Sequence, residues 1–80
     1  KSAVSIISNI AEGFERGRPR EFQHVLRIAR GSCGELRSQI AISADREYVS
    51  RSQHQKLARQ LIELTRQISS LMKYLETQLK

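Results

Sequence analysis

Phe22, Leu26, Ala29, Cys33, Leu36, Ile40 and Ala44 recur at steps of four and three residues, alternating as far as Ile40. At about 100° per residue that spacing gathers them within roughly 80° on one side of an α-helix. The seam predicts a long helix over about residues 20–46. A shorter stripe precedes it, made of Ala3, Ile7, Ile10 and Phe14 and widened by Val4 and Ala11. It predicts a first helix over about residues 1–13, with Gly13 as its C-terminal stop. Gly13, Gly17 and Pro19 supply the densest turn chemistry in the chain. Pro19 suits the first position of the following helix, where its missing N–H costs nothing. After a polar connection at 47–52, a second heptad runs through Leu57, Leu61, Leu64, Ile68, Leu71 and Leu75. Ala58, Ile62, Met72 and Leu79 broaden its apolar face, and it predicts a third helix over about 53–79.

Long helices with short connections pack as antiparallel neighbours, so the pattern predicts an all-α, up-and-down bundle forming one domain over residues 1–80. Two features point to a place for a fourth helix. The chain opens at Lys1 already inside a helical pattern without a capping residue, and the third apolar face is wider than one seam requires. The expectation is a four-helix bundle lacking its first helix. Gly31 and Gly34 interrupt the second helix on its polar side, each at a cost of about 1 kcal/mol relative to alanine. One reading is that another backbone approaches there; the other is that the helix simply tolerates them. With Ile28 and Ile42 also off the seam, the second helix reads as touched on two sides.

Eighty residues bury too little surface for comfortable stability. Cys33 is the only cysteine, so disulfides cannot add to it; its seam position makes it a small core thiol, and a reducing cytoplasm fits. His24 and His54 have no ligand-spaced companions, so no metal is implied, and no cofactor motif occurs. Association with further chains is the remaining route to stability. No apolar run is long enough for a signal peptide or membrane span.

The net charge of +6 changes the picture more than the length does. Ten of the 14 basic residues are arginines, whose planar fork suits phosphate. Six lie between Arg16 and Arg37, against two acids, Glu21 and Glu35. Arg16, Arg18 and Arg20 sit in or beside a loop, and Arg20, His24 and Arg27 continue along the helix face opposite the seam, with Arg30 and Arg37 on a flank. These seven are the candidate nucleic-acid-binding residues. In the third helix Arg59, Arg66, Lys73 and Lys80 recur every seven positions. Two Phe and two Tyr are too few for a base-stacking platform, so sequence-selective single-strand recognition is not indicated. The competing account makes the arginines inter-subunit partners of Glu15, Glu21 or Glu47.

Catalysis has little support. No Ser–His–acid spacing has a rationale, and Gly31-Ser32-Cys33-Gly34 lies mid-helix, where backbone N–H groups are not free to cradle a phosphate. Nearby arginines would keep Glu12 and Glu35 ionised, which suits neither to general-acid work.

Ser8-Asn9-Ile10-Ala11-Glu12-Gly13, then Arg16, Glu21-Phe22, Ile28-Ala29-Arg30-Gly31-Ser32 and Glu35-Leu36 together resemble the bacterial four-helix bundle proteins. That family is also known as the proteins encoded in intervening sequences of 23S ribosomal RNA genes. The resemblance covers nearly the whole chain and implies a left-handed four-helix bundle assembled as a homopentamer. A related branch, the accessory proteins of diversity-generating retroelements, implies RNA or DNA and a reverse transcriptase as partners. One departure is Arg18-Pro19, where a Ser or Thr cap would stand. Among the motif residues, Asn9, Glu12, Arg30 and Glu35 are candidates for a structural polar network, with a Glu12–Arg30 ion pair holding two helices in register. The competing reading leaves all of them solvated.

The expectation from the sequence is therefore a non-enzymatic, cytoplasmic bundle subunit that homo-oligomerises, stays off membranes and offers an arginine-rich surface to RNA or DNA. The alternative is a protein-interaction scaffold without a nucleic-acid role.

Overall fold

The computed structural model describes residues 2–45 and 51–78, the side chains of 43–45 aside. Within them the chain forms three helices, α1 (Ala3–Glu15), α2 (Pro19–Asp45) and α3 (Arg51–Gln78), and no strand. This is the all-α architecture that the heptads predict. The seam position of Ala44, the acid Glu47, and Leu79 and Lys80 at the end of the third stripe fall outside the described side chains.

Local chemistry sets the ends of α1. Ser2, in extended geometry, accepts the Ser5 N–H at 3.2 Å and so caps the helix. Contrary to expectation, α1 is therefore capped at its start. The other end also differs from expectation: α1 runs through Gly13 to Glu15, and Gly17 makes the stop. Gly17 takes φ 66°, the left-handed conformation that glycine adopts without a Cβ clash, and donates its N–H to the Phe14 carbonyl at 3.1 Å. Pro19 opens α2 as predicted, and the Arg18 carbonyl accepts the Phe22 N–H at 2.9 Å. The missing Ser or Thr cap therefore leaves the helix start intact.

Gly13 has a different task. It is buried, and a Cβ placed on it would meet the Val25 side chain at 3.1–3.3 Å. Its lack of a side chain lets α1 lie close against α2. The buried face of α1 is accordingly Ile6, half-buried Ile10 and Gly13. The expected stripe is out of phase with this: Val4, Ile7 and Phe14 are exposed, Phe14 meeting Phe22 of the core edge-on at 5.7 Å between ring centres.

The α2 seam behaves as the spacing requires. Phe22, Leu26, Ala29 and Cys33 are buried, and Leu36 and Ile40 are half-buried against them. Ile6 from α1 and Leu61 and Ile68 from α3 complete the core. Full burial of a side chain such as Leu26 or Leu61 stabilises by about 1.5–3 kcal/mol. On α3 the seam splits: Leu64 and Leu75 pack, whereas Leu57 and Leu71 stay on its exposed edge with Tyr74. Both α1 and α3 lean on α2 and leave apolar side chains uncovered. That arrangement fits a helical bundle one helix short.

Candidate nucleic-acid interface

α2 and α3 run antiparallel, which brings the start of α2 beside the end of α3. Gln23 Nε2 donates to the Met72 carbonyl at 3.1 Å, and Arg30 Nη1 donates to Ser69 Oγ at 3.4 Å. Between these helices lies an open groove of about 790 Å³. Arg20, Arg27 and Arg30 line it from α2, and Lys73 from α3. Glu76 is the one carboxylate in its wall, and none of the four cations forms an ion pair among the described residues.

The spacing explains the convergence. Residues 20, 23, 27 and 30 are three and four apart, so they form one ridge of α2, rotated off the seam toward α3. Residues 69, 73 and 76 make the matching ridge of α3. Lys73 was legible as part of a seven-residue basic repeat, but only the pairing of helices shows that it faces the α2 arginines. Arg66 of the same repeat is instead hydrogen-bonded to Glu63, with Nε–Oε2 at 3.0 Å. That bond raises the pKa of Arg66 and lowers that of Glu63.

The remaining candidates separate into three groups. Arg16 and Arg18 both bind Glu21, at 2.8 and 3.3 Å. The hydrogen bond from Arg16, and then the charge of Arg18, hold the Glu21 carboxyl below its ordinary range. The loop arginines are thus tied to an acid instead of reaching freely outward. His24 is exposed and lies off the groove. Arg37 lines a second, shallower opening with Gly34, Ser38, Ala41 and Ala58, farther along the same helix pair.

The expected polar network is not assembled. Asn9 and Glu12 line a crevice of about 270 Å³ between α1 and α2, with Arg16, Val25, Ala29 and Ser32. Arg30 faces α3 on the other side of α2, and Glu35 is exposed. The Glu12–Arg30 ion pair therefore does not form: seam residue Leu26 and its neighbours lie between the faces that carry the two groups. Gly31 and Gly34 also have no heavy atom within 4 Å of a built Cβ, so no backbone of the described chain approaches them. α2 is touched on two sides, but through Val25 and Ala29 on one and the Gln23–Arg30 ridge on the other.

Among the described residues no group of His, Cys, Asp or Glu could hold a metal ion, and no helix is long and apolar enough to cross a membrane. The fold and this groove define a small basic helical-bundle protein. Residues 1–70 match the family model described as 23S rRNA-intervening sequence protein, and the chain belongs to that family. The family is not a known enzyme family. No curated protein and no solved structure matches the chain.

Proposed function

We propose that this protein is a non-enzymatic, cytoplasmic bundle subunit that self-associates and binds RNA or DNA through backbone phosphates. The observation that carries the reading is the α2–α3 groove, with Arg20, Arg27 and Arg30 on one wall, Lys73 on the other and, among the described residues, one carboxylate, Glu76. Cations that lack an internal acid are available to phosphate, and arginine's fork matches phosphate oxygens. Among the described residues the groove has no aromatic side chain in its wall, so the contact is with charge and shape and not with bases. Self-association is supported by the uncovered side chains Val4, Ile7, Phe14, Leu71 and Tyr74, a large apolar exposure for 80 residues.

Salt-titrated binding tests the reading. Four phosphates neutralised per subunit on a duplex give a slope of log affinity against log salt of about −3.6. Absence of affinity at low salt would overturn it in favour of the scaffold. That second reading has its own support in the Arg16–Glu21–Arg18 cluster, where arginines serve the fold.

A further inference from the structure

We infer that the flank of the α2–α3 pair is a track for the phosphate backbone of a nucleic-acid duplex, in preference to a single strand. This rests on the phosphate-binding reading above and adds the form of the ligand. The two openings belong to one continuous flank. On α2, residues 20, 23, 27 and 30 of the basic groove continue at the same three- and four-residue steps into 34, 38 and 41 of the second opening. On α3, residues 76, 73 and 69 continue toward 58 and 55. At 1.5 Å per residue, Arg20, Arg27, Arg30 and Arg37 stand at about 0, 10, 15 and 26 Å along α2. That length is most of one duplex turn, about 34 Å.

Three observations favour a duplex over the other polyanions that could enter. Among the described residues neither opening is lined by an aromatic side chain, so an unpaired strand gains no stacking from them to offset the cost of ordering it. A duplex presents its phosphates already fixed in a rail, and pre-organisation removes that cost. Beyond the cations the α2 ridge carries Gly34, Ser38 and Ala41, which leave room for a sugar–phosphate backbone beside Arg37. An acidic protein helix would need an apolar stripe to dock on. Among the described residues of the basic half of the track Met72 is the one large apolar side chain, and Gln23 and Ser69 make up the rest of the uncharged wall.

The test uses the full chain and fluorescent probes of one sequence: an RNA duplex and a DNA duplex of about two helical turns, and their separate strands. Anisotropy titrations at several salt concentrations are the readout, with polyglutamate as competitor. The expected result is duplex binding at least about tenfold tighter than either strand at about 50 mM salt. The RNA and DNA arms then show which duplex is preferred. The double variant Arg27→Gln/Arg30→Gln should flatten the duplex salt slope by about 1.8, and Lys73→Gln, on the opposite wall, by about 0.9. Arg59→Gln, outside the track, should leave the slope nearer its original value, with helix content by circular dichroism unchanged in all variants. Single strands bound as tightly as duplexes overturn the inference but leave nucleic-acid binding standing. Displacement of duplex by polyglutamate at equal charge overturns it in favour of an acidic protein partner. No binding to any probe at low salt removes the phosphate reading itself.

Discussion

A Cβ added to Gly13 would lie 3.1 Å from Cγ1 of Val25, 3.2 Å from Cγ2 and 3.3 Å from Cβ. Because the Val25 Cβ is itself one of the close atoms, no side-chain rotation relieves the contact. Valine in a helix is also nearly fixed at χ1. Gly13→Ala gains about 1 kcal/mol in helix propensity but incurs an overpacking cost of about 1–3 kcal/mol. The expected outcome is a net loss of about 1 kcal/mol, or roughly 4–8 °C in Tm for a domain of this size. Val25→Ala in the same chain removes the two Cγ contacts and leaves only the Cβ at 3.3 Å, so it should relieve most of the penalty and uncover much of the propensity gain. Thermal melts of the two single variants and the double variant check this. Additive effects would mean that α1 and α2 do not meet at this pair.

Gly31 and Gly34 make the opposite case. No heavy atom lies within 4 Å of a Cβ built on either, and both are exposed in the middle of α2. Alanine at each position should stabilise the isolated protein by up to about 1 kcal/mol, since only the backbone entropy of the unfolded chain changes. Melting temperatures should rise in both single variants and further in the double. A fall would show that another chain packs on this face in solution.

The contrast between these glycines shows what the sequence could reveal. The α2 seam was legible because Phe22, Leu26, Ala29 and Cys33 follow a strict heptad, and a heptad fixes a face whatever the partner. The phase of α1 was not, because Val4, Ile6, Ile7, Ile10 and Phe14 spread over about 160° of its circumference, wider than the face that is buried. The buried side was settled only by the close approach at Gly13, which a one-dimensional pattern does not contain. The arginine surface was visible as composition. Its division was not: Glu21 lies at steps from Arg16 and Arg18 that link them only once the turn at Gly17 is formed. Lys73 joins Arg27 and Arg30 only when α3 folds back along α2. Glu12 and Arg30 fail as a pair because α1, which carries Glu12, packs on one side of α2 while Arg30 faces α3 on the other.

Leu26 and Leu71 separate the core from the uncovered face. Leu26 is fully buried between the helices, whereas Leu71 keeps 38% of its surface exposed. Leu26→Ala should cost about 2–5 kcal/mol, enough to threaten folding in a domain this small. Leu71→Ala should cost well under half as much in dilute monomer, because little contact is lost. If the uncovered faces serve self-association, Leu71→Ala should weaken assembly out of proportion to stability. Denaturant titration and sedimentation velocity on the two variants provide both readouts. Equal losses of stability would place Leu71 in the core of the dilute protein.

Glu21 ties the fold to the charge available for binding. Its carboxyl accepts from Arg16 at 2.8 Å and Arg18 at 3.3 Å, and its pKa lies below the ordinary value of 4.5. A lowered folded-state pKa means that the unfolded chain binds the proton more readily. The contribution is present above about pH 4.5 and disappears as pH falls through the lowered value. Melting temperature should therefore drop on acidification below that range, and the Glu21 part of the drop should be absent in Glu21→Gln. Near neutral pH the same substitution frees two guanidinium groups and removes one negative charge. If phosphate binding draws on this end of the molecule, the salt slope for duplex should steepen by up to about 1.8. Anisotropy titrations of Glu21→Gln beside the parent chain decide the point. An unchanged slope would restrict the phosphate contacts to the α2–α3 track and leave Arg16 and Arg18 as residues of the turn alone.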